Sequence, residues 1–142
     1  IPYLWPPDAA ESARATRCES ASGPTAAPAT TTRGDEPKRV GLTWRAGDWE
    51  PRRSLPDEAL ARLGAVPGVS WAALQFGVAP PAFCAEDLAC ADLGAQARRM
   101  QDLDLVVTVD TLTAHLAGAL GLRVWTLLAE PADWRWGHGD RT

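Results

Sequence analysis

The sequence contains few cysteines, and none of them lies in a pattern typical of metal binding. The 142 residues include only Cys18, Cys84 and Cys90, an odd number without a CxxC pair. This spacing indicates neither a zinc site nor a framework of disulfides. Reduced thiols in a cytoplasmic protein are the simplest interpretation, because disulfides rarely persist in that compartment.

Long apolar runs are also missing. The best candidate for a membrane-spanning segment is interrupted by Asp110, His115 and Arg123, whereas a spanning helix needs about 20 consecutive apolar residues. No apolar segment follows a basic start, as it would in a signal peptide. We therefore expect a cytoplasmic protein without a transmembrane helix.

The charge balance and the missing motifs exclude further classes. The chain carries 14 basic and 18 acidic residues, a net charge of −4, and its arginines are scattered, so no nucleic-acid-binding face is indicated. A GxGxxG loop is absent, which argues against an NAD-dependent Rossmann enzyme. The GxSxG motif of hydrolases is absent too, as are a cluster of metal ligands and a pair of catalytic carboxylates. We expect neither a metal nor a cofactor.

The composition changes at about residue 38. Residues 8–38 are rich in Ala, Ser, Thr, Pro and charged side chains. Such a segment cannot bury enough apolar surface to offset the entropy of ordering it. We expect residues 1–38 to be a leading segment and a disordered linker, and residues 39–142 to form one domain.

That domain alternates strand-like and helix-like segments. Apolar runs predict strands at 39–44, 69–75, 105–109 and from 123 onward, and helical patterns predict helices at 57–63, 95–103 and 112–120. Residues 76–94 are expected to be irregular, with one or two helical turns at 85–91. Near-continuous apolar strands separated by helices are typical of a parallel sheet covered on both faces. The predicted fold class is therefore α/β, with a Rossmann-like parallel sheet.

The most informative polar residues follow the apolar run at 105–109. Asp110 and Thr111 lie where that strand ends and the next helix begins, which is where open α/β sheets bind ligands. Thr111 is a predicted N-cap whose hydroxyl accepts a backbone N–H bond, and the free amides after it would suit a phosphate. The alternative is that both residues only start the helix, since every helix needs a cap.

Further candidates lie at the same edge. His115 follows Thr111 by one helical turn, and its imidazole could donate to a diphosphate; a semi-buried structural histidine is the alternative. Arg52 and Arg53 lie in the loop after the first strand, and guanidinium groups bind phosphate, although two solvated loop arginines are the ordinary interpretation. Gln75 ends the second strand and could bond a base or a sugar, or only satisfy a turn.

The tryptophans divide into two groups by position. Trp71 and Trp125 alternate with apolar strand residues and are expected in the core. Trp134 and Trp136 follow the last strand, and they could stack on a ring, form a hydrophobic lid or make a domain contact.

Several segments in order resemble one family. They are GLTW at 41–44, RRSLP at 52–56, residues 55–75, DLG at 92–94, DTxxxHLAGALG within residues 103–121, and residues 124–136, which end in DWRW. Residues 1–6 resemble the family's segment that enters this domain. Together they resemble the C-terminal half of the heptosyltransferase-like glycosyltransferases, glycosyltransferase family 9, in the bacterial form fused to tetratricopeptide repeats.

The resemblance implies a GT-B architecture in which this half holds a nucleoside diphosphate sugar without a metal. It implies that Asp110, Thr111 and His115 lie beside the diphosphate, that Arg53 contacts a phosphate and that Gln75 lies near the cleft. The implied activity is transfer of a sugar, heptose in the best-known members, to an acceptor glycan or protein.

The sequence also departs from the family's pattern. The loop at 44–54 is shorter than usual, and residues 95–102 replace a longer segment rich in Asp, Phe and Thr. The acceptor half, which supplies the catalytic base in related inverting enzymes, is missing. We therefore expect a donor-binding half whose acceptor domain or tetratricopeptide repeats belong to a longer protein. The alternative is a degenerate, non-catalytic module that acts in binding or protein interaction.

Overall fold

Five parallel strands form a single sheet. The computed structural model describes residues 36–48, 50–132 and 134–136, so the expected leading segment at 1–38 lies almost entirely outside the described residues. The strands are β1 (Lys38–Thr43), β2 (Val69–Ala73), β3 (Cys84–Asp87), β4 (Leu105–Val109) and β5 (Val124–Leu127). They pair in the order β3-β2-β1-β4-β5, all in parallel. The predicted α/β class with a Rossmann-like parallel sheet is confirmed.

Three helices connect these strands. They are α1 (Asp57–Gly64), α2 (Leu93–Met100) and α3 (Leu112–Ala119), and two 3₁₀ turns lie at Pro51–Arg53 and Trp134–Trp136. In α1 the first turn is acidic and the last contains Arg62, which complements the helix dipole. In α2 the Oδ1 atom of Asp92 accepts a bond of 2.6 Å from the amide of Ala95, and this cap starts the helix two residues before the predicted position.

Each face of the sheet carries its own apolar core. On the first face α1 packs through Leu60 onto a set of strand residues comprising Val40, Leu42, Trp44, Trp71, Ala73 and Val107. On the second face the strand residues Ala72, Leu74 and Val106 pack against Met100, Leu103 and Ala117. The second core leaves no room beside β1, because a Cβ atom on Gly41 would lie 2.6 Å from Leu74 Cδ1.

Two expectations about local structure are wrong. Residues 84–87 form the edge strand β3 rather than helical turns, because their backbone pairs with β2 across a register shift. This pairing outweighs a sequence, CAED, that has little strand preference of its own. Trp71 is buried as expected, but Trp125 is 65% exposed. Trp125 lies on β5 at the sheet edge, and α3, the helix that contacts β5, packs on the other face.

The cysteines differ from one another. Cys84 is a free, half-buried thiol, as expected. Cys90 is buried. Separately, no helix within the described ranges has the length and apolar character that crossing a bilayer requires.

Candidate functional site

The buried polar side chains converge on one point of the fold. Among the described residues, those that are buried and polar or charged are Thr43, Gln96, Thr108 and Asp110. Thr43 and Thr108 are paired across β1 and β4, and Asp110 directly follows β4. Buried polar groups are retained where they have partners or a function. The junction between β4 and α3, at the carboxyl edge of the sheet, is therefore the candidate site.

Asp110 is held by Arg53. The Nη2 atom of Arg53 lies 2.8 Å from Asp110 Oδ2, and the two side chains are 19% and 10% exposed. The same guanidinium donates to the backbone carbonyl of Asp110. This double contact fixes the loop between β1 and α1 onto the start of α3. Arg53 and Asp110 thus lie at the same edge of the sheet, as predicted, and the contact between them was not predicted. The carboxylate pairs with the guanidinium and is not an isolated charge.

Thr111 occupies the N-cap position of α3, as predicted, but its hydroxyl does not cap the helix. Instead the Oγ1 atom donates to the carbonyl of Val109 at 3.3 Å and lies 3.2 Å from Thr108 Oγ1. The predicted capping bond is wrong because these two neighbours already engage the hydroxyl. Within the part of the chain that the structure describes, the backbone amides of Leu112 and Thr113 donate to no protein acceptor. The start of α3 therefore offers open N–H donors and the positive end of a helix dipole.

His115 lies one turn further along α3 and is exposed. Its ring stacks on Trp136, with ring centroids 5.6 Å apart and an interplanar angle of 19°. The alternative of a semi-buried structural histidine is wrong. Trp134 is exposed. The stacking joins the middle of α3 to the 3₁₀ turn that follows β5, and the predicted roles of Trp134 and Trp136 toward a ligand or another domain stay predictions.

Gln75 and Arg52 are both engaged locally. The Oε1 atom of Gln75 accepts a bond of 2.9 Å from the amide of Arg45, so its carbonyl completes the turn after β1. Arg52 is exposed and makes two bonds of 2.9 and 3.1 Å to Glu50. The hydrogen bond between these two side chains lowers the pKa of the Glu50 carboxyl and raises the pKa of Arg52. Arg52 thus forms an ion pair on the surface, whereas the ion pair of its neighbour Arg53 is mostly buried.

Two cavities flank the start of α3. The first, which we name the arginine cavity, has a volume of about 200 Å³ and lies between the 3₁₀ turn at Pro51–Arg53 and the loop after β5; its charged lining residues are Glu50, Arg52, Arg53, Asp110, Glu130 and Arg135. The second, the glutamine cavity, has a volume of about 190 Å³, and its polar lining residues include Thr43, Gln75, Gln96, Thr111 and Thr113. The predicted residues are thus divided between two cavities, and His115 lines neither.

Thr43, Thr113 and Gln96 were not predicted from the sequence. The hydroxyl of Thr43 donates to that of Thr113 over 3.2 Å, which joins the end of β1 to the first turn of α3. Thr43 is a polar residue at the carboxyl end of a predicted strand, as Asp110 is, so the sequence contains a signal that could have identified it as a candidate. Gln96 lies four residues before the fully buried Met100, so helical spacing places an amide on the apolar face of α2.

In comparisons with family profiles, curated protein sequences and solved structures, the chain matches none of them. No group of three or more His, Cys, Asp and Glu side chains in the described ranges could hold a metal ion.

Proposed function

We propose that the chain is the donor-binding half of a glycosyltransferase, holding a nucleoside diphosphate sugar at the β4–α3 junction. The observation that carries this proposal is the convergence of the buried polar side chains on the start of α3, next to backbone amides that have no acceptor among the described residues. Helix starts at the carboxyl edge of a parallel sheet suit phosphate groups, because the N–H donors and the helix dipole both favour an anion. The DTxxxHLAGALG pattern supports the specific choice of a sugar nucleotide.

In this proposal the chain contributes leaving-group stabilisation. Negative charge develops on the diphosphate as its bond to the sugar breaks. The proposal assigns the hydrogen bonds to this charge to the amides of Leu112 and Thr113 and to the exposed imidazole of His115. Because these donors belong to a short helix packed on the sheet, they do not have to reorganise during the reaction.

Arg53 has a separate role. Its guanidinium is oriented by Asp110, and guanidinium groups bind phosphate oxygens with a defined geometry. Asp110 is a positioning residue, because its carboxylate would repel a phosphate in direct contact. The proposal assigns the acceptor, a glycan or a protein, and the base that activates its hydroxyl to another part of a longer protein. No metal or other cofactor is part of it.

Titration with nucleotides tests the proposal. ADP, GDP, UDP and inorganic pyrophosphate are titrated into the chain by isothermal calorimetry, with tryptophan fluorescence as a second readout. We expect saturable binding of one nucleotide and a loss of affinity of about tenfold or more in His115→Ala and Asp110→Asn, since hydrogen bonds to charged groups contribute about 1.5–3 kcal/mol.

A matched control is available at the other end of the sheet. Asp104 directly precedes β4, as Asp110 directly follows it. Its carboxylate accepts a bond of 2.9 Å from the amide of Arg39, and it lies at the end of β4 away from the start of α3. Asp104→Asn should bind nucleotide as the parent does. Circular dichroism confirms that each variant is folded. If the parent binds neither nucleotide nor pyrophosphate, or if both site variants bind as tightly as the parent, the proposal is wrong.

The second candidate function is a degenerate module that binds without catalysis. One observation favours it: Arg53 and Asp110 neutralise each other at the edge of the arginine cavity, which reduces the net positive charge available to a diphosphate. This candidate predicts weak binding of pyrophosphate with little preference among nucleotides. A clear preference for one nucleotide would favour the donor-binding half instead.

We also propose a cytoplasmic location, in line with the paucity of cysteines. Cytoplasmic thiols are kept reduced. Rapid alkylation of intact cells, followed by mass spectrometry of the peptide that contains Cys90, tests this location. A reduced Cys90 supports the cytoplasm, and an oxidised Cys90 contradicts it.

A further inference from the structure

The amide of Gln96 is buried and has no hydrogen-bond partner among the described residues. The residue is 6% exposed, and within the described ranges neither its Nε2 nor its Oε1 atom is paired. A buried donor and acceptor left unpaired destabilise the ligand-free fold, because both lose their bonds to water. A leucine of similar size would avoid that loss. The amide is therefore the feature of α2 that most needs an explanation from function.

The surroundings of Gln96 are those of a small ligand pocket. It lines the glutamine cavity together with Phe76, Leu93 and Leu112, three of the large apolar side chains that are exposed in the described chain. Exposed apolar side chains scattered singly are ordinary, but a group of them around one cavity marks a binding site. At about 190 Å³ the cavity is smaller than the roughly 300 Å³ at the lower limit for whole drug-sized ligands, so it suits one part of a larger ligand.

The same cavity reaches the start of α3. Thr111 and Thr113 line it, and the open amides of Leu112 and Thr113 lie in the same turn. The cavity is therefore bordered by apolar side chains that could stack on a flat ring, by the buried Gln96 amide and by helix-terminal donors for a phosphate. A nucleotide carries an aromatic base, whose edge holds hydrogen-bond donors and acceptors, at one end and phosphates at the other.

We propose that Gln96 is the residue that selects the base of the nucleotide. A carboxamide presents a donor and an acceptor side by side, so it pairs with a base edge that offers an adjacent acceptor and donor, as glutamine does with adenine. Gln75 lines the same cavity, but its Oε1 atom already accepts from Arg45, which leaves Gln96 as the amide with both atoms unpaired. The inference rests on the proposed function, because it assumes that a nucleotide is the ligand.

The test compares Gln96→Leu with Gln101→Leu in the full chain. Gln101 is the exposed C-cap residue of α2, so the control makes the same substitution on the same helix outside the cavity. Each protein is titrated with ADP, GDP, UDP and inorganic pyrophosphate, and the Tm without ligand is measured. We expect Gln96→Leu to weaken the preferred nucleotide by about tenfold, to reduce the preference among bases, and to leave pyrophosphate affinity unchanged.

The ligand-free Tm separates a binding role from a structural one. Gln96→Leu should raise the Tm, because it removes an unpaired amide, so lower nucleotide affinity would not reflect a damaged fold. If Gln96→Leu keeps the parent's base preference while Asp110→Asn loses nucleotide binding, the inference is wrong and the donor site stands. A parent that binds all three nucleotides equally also overturns the inference. A parent that binds neither nucleotide nor pyrophosphate overturns the proposed function and the inference with it.

Discussion

The two ends of the sheet hold the same kind of ion pair in different surroundings. Near the amino-terminal end, Arg39 Nη2 lies 2.8 Å from Glu86 Oε2, and the side chains are 37% and 42% exposed. At the carboxyl end, Arg53 Nη2 also lies 2.8 Å from Asp110 Oδ2, but the exposures are 19% and 10%. The two ion pairs have equal distances but different interaction energies, because water screens the charges of the first pair and screens those of the second much less.

The neighbours of each pair extend this contrast. Beside Arg39, Lys38 Nζ lies 4.0 Å from Asp104 Oδ1, with both side chains exposed. Beside Asp110 lie the buried hydroxyls of Thr43 and Thr108. The amino-terminal end thus keeps its charges in water, where they contribute little. The carboxyl end withdraws polar groups from water, which is costly unless they are paired or functional. This difference supports the choice of the carboxyl end as the candidate site.

Breaking the buried pair should have the largest effect. Asp110→Ala leaves the guanidinium of Arg53 largely buried without its carboxylate, and we expect a loss of about 3 kcal/mol in the free energy of unfolding. Urea denaturation followed by tryptophan fluorescence measures it. The matched change at the other end, Glu86→Ala, should lose no more than about 1 kcal/mol. Equal losses would show that burial does not distinguish the two pairs.

Removing one buried hydroxyl should have a smaller effect. Thr108 is fully buried, and its Oγ1 atom donates to the carbonyl of Val109 over 2.8 Å. Thr108→Val keeps the shape but loses this bond, so we expect a loss of about 1 kcal/mol in unfolding free energy. Thr126 is the register partner of Thr108 on β5 and is half-buried. Thr126→Val, measured in the same way, should change stability little; a loss equal to that of Thr108→Val would contradict the prediction.

Much of this architecture is predictable from the sequence, because periodicity reports burial. The runs at 39–44, 69–75 and 105–109 are apolar because central strands are covered on both faces, and the structure has β1, β2 and β4 there. The edge strand β3 was not predicted, since CAED pairs on one side only and carries no such signal. The predicted burial of Trp125 was wrong for a related reason. The alternation of side chains along a strand indicates which face of the sheet a residue lies on, but it does not indicate whether a helix covers that face.

The candidate site was predictable only in part. Asp110 and Thr111 follow β4 directly, so their position at the sheet edge follows from chain order. That Arg53 meets Asp110 depends on a contact between residues 57 positions apart, which spacing alone does not encode. Whether the Gln96 amide has a hydrogen-bond partner depends on which groups pack around α2 in the folded chain. A sequence pattern does not contain that information.

Salt should separate the two ion pairs further. At 1 M salt the Debye length is about 3 Å, so exposed charges are almost fully screened. The stability difference between the parent and Glu86→Gln, at most about 1 kcal/mol in dilute buffer, should vanish at 1 M sodium chloride. The difference between the parent and Asp110→Asn should persist, because that pair is mostly buried. Urea denaturation at both salt concentrations checks this, and a salt-independent effect of Glu86→Gln would contradict it.

Cys84 should affect stability only at alkaline pH. Burial, reinforced by the Asp87 carboxylate, raises the pKa of this thiol from 9.0 to about 11. Between pH 9 and 11 the folded chain therefore retains a proton that the unfolded chain releases. Stability must fall as pH rises through that window and stay unaffected below it. We expect the free energy of unfolding of Cys84→Ala, measured by urea denaturation from pH 8 to 10, to fall less with pH than that of the parent.

The reactivity of the thiol gives a second measurement. Alkylation at Cys84, followed by peptide mass spectrometry, should be slow at pH 8, because the thiolate is the reactive form. Rapid alkylation at pH 8 would contradict this prediction, because it would show that the Cys84 thiol is exposed to water, as the ion pairs near the amino-terminal end of the sheet are.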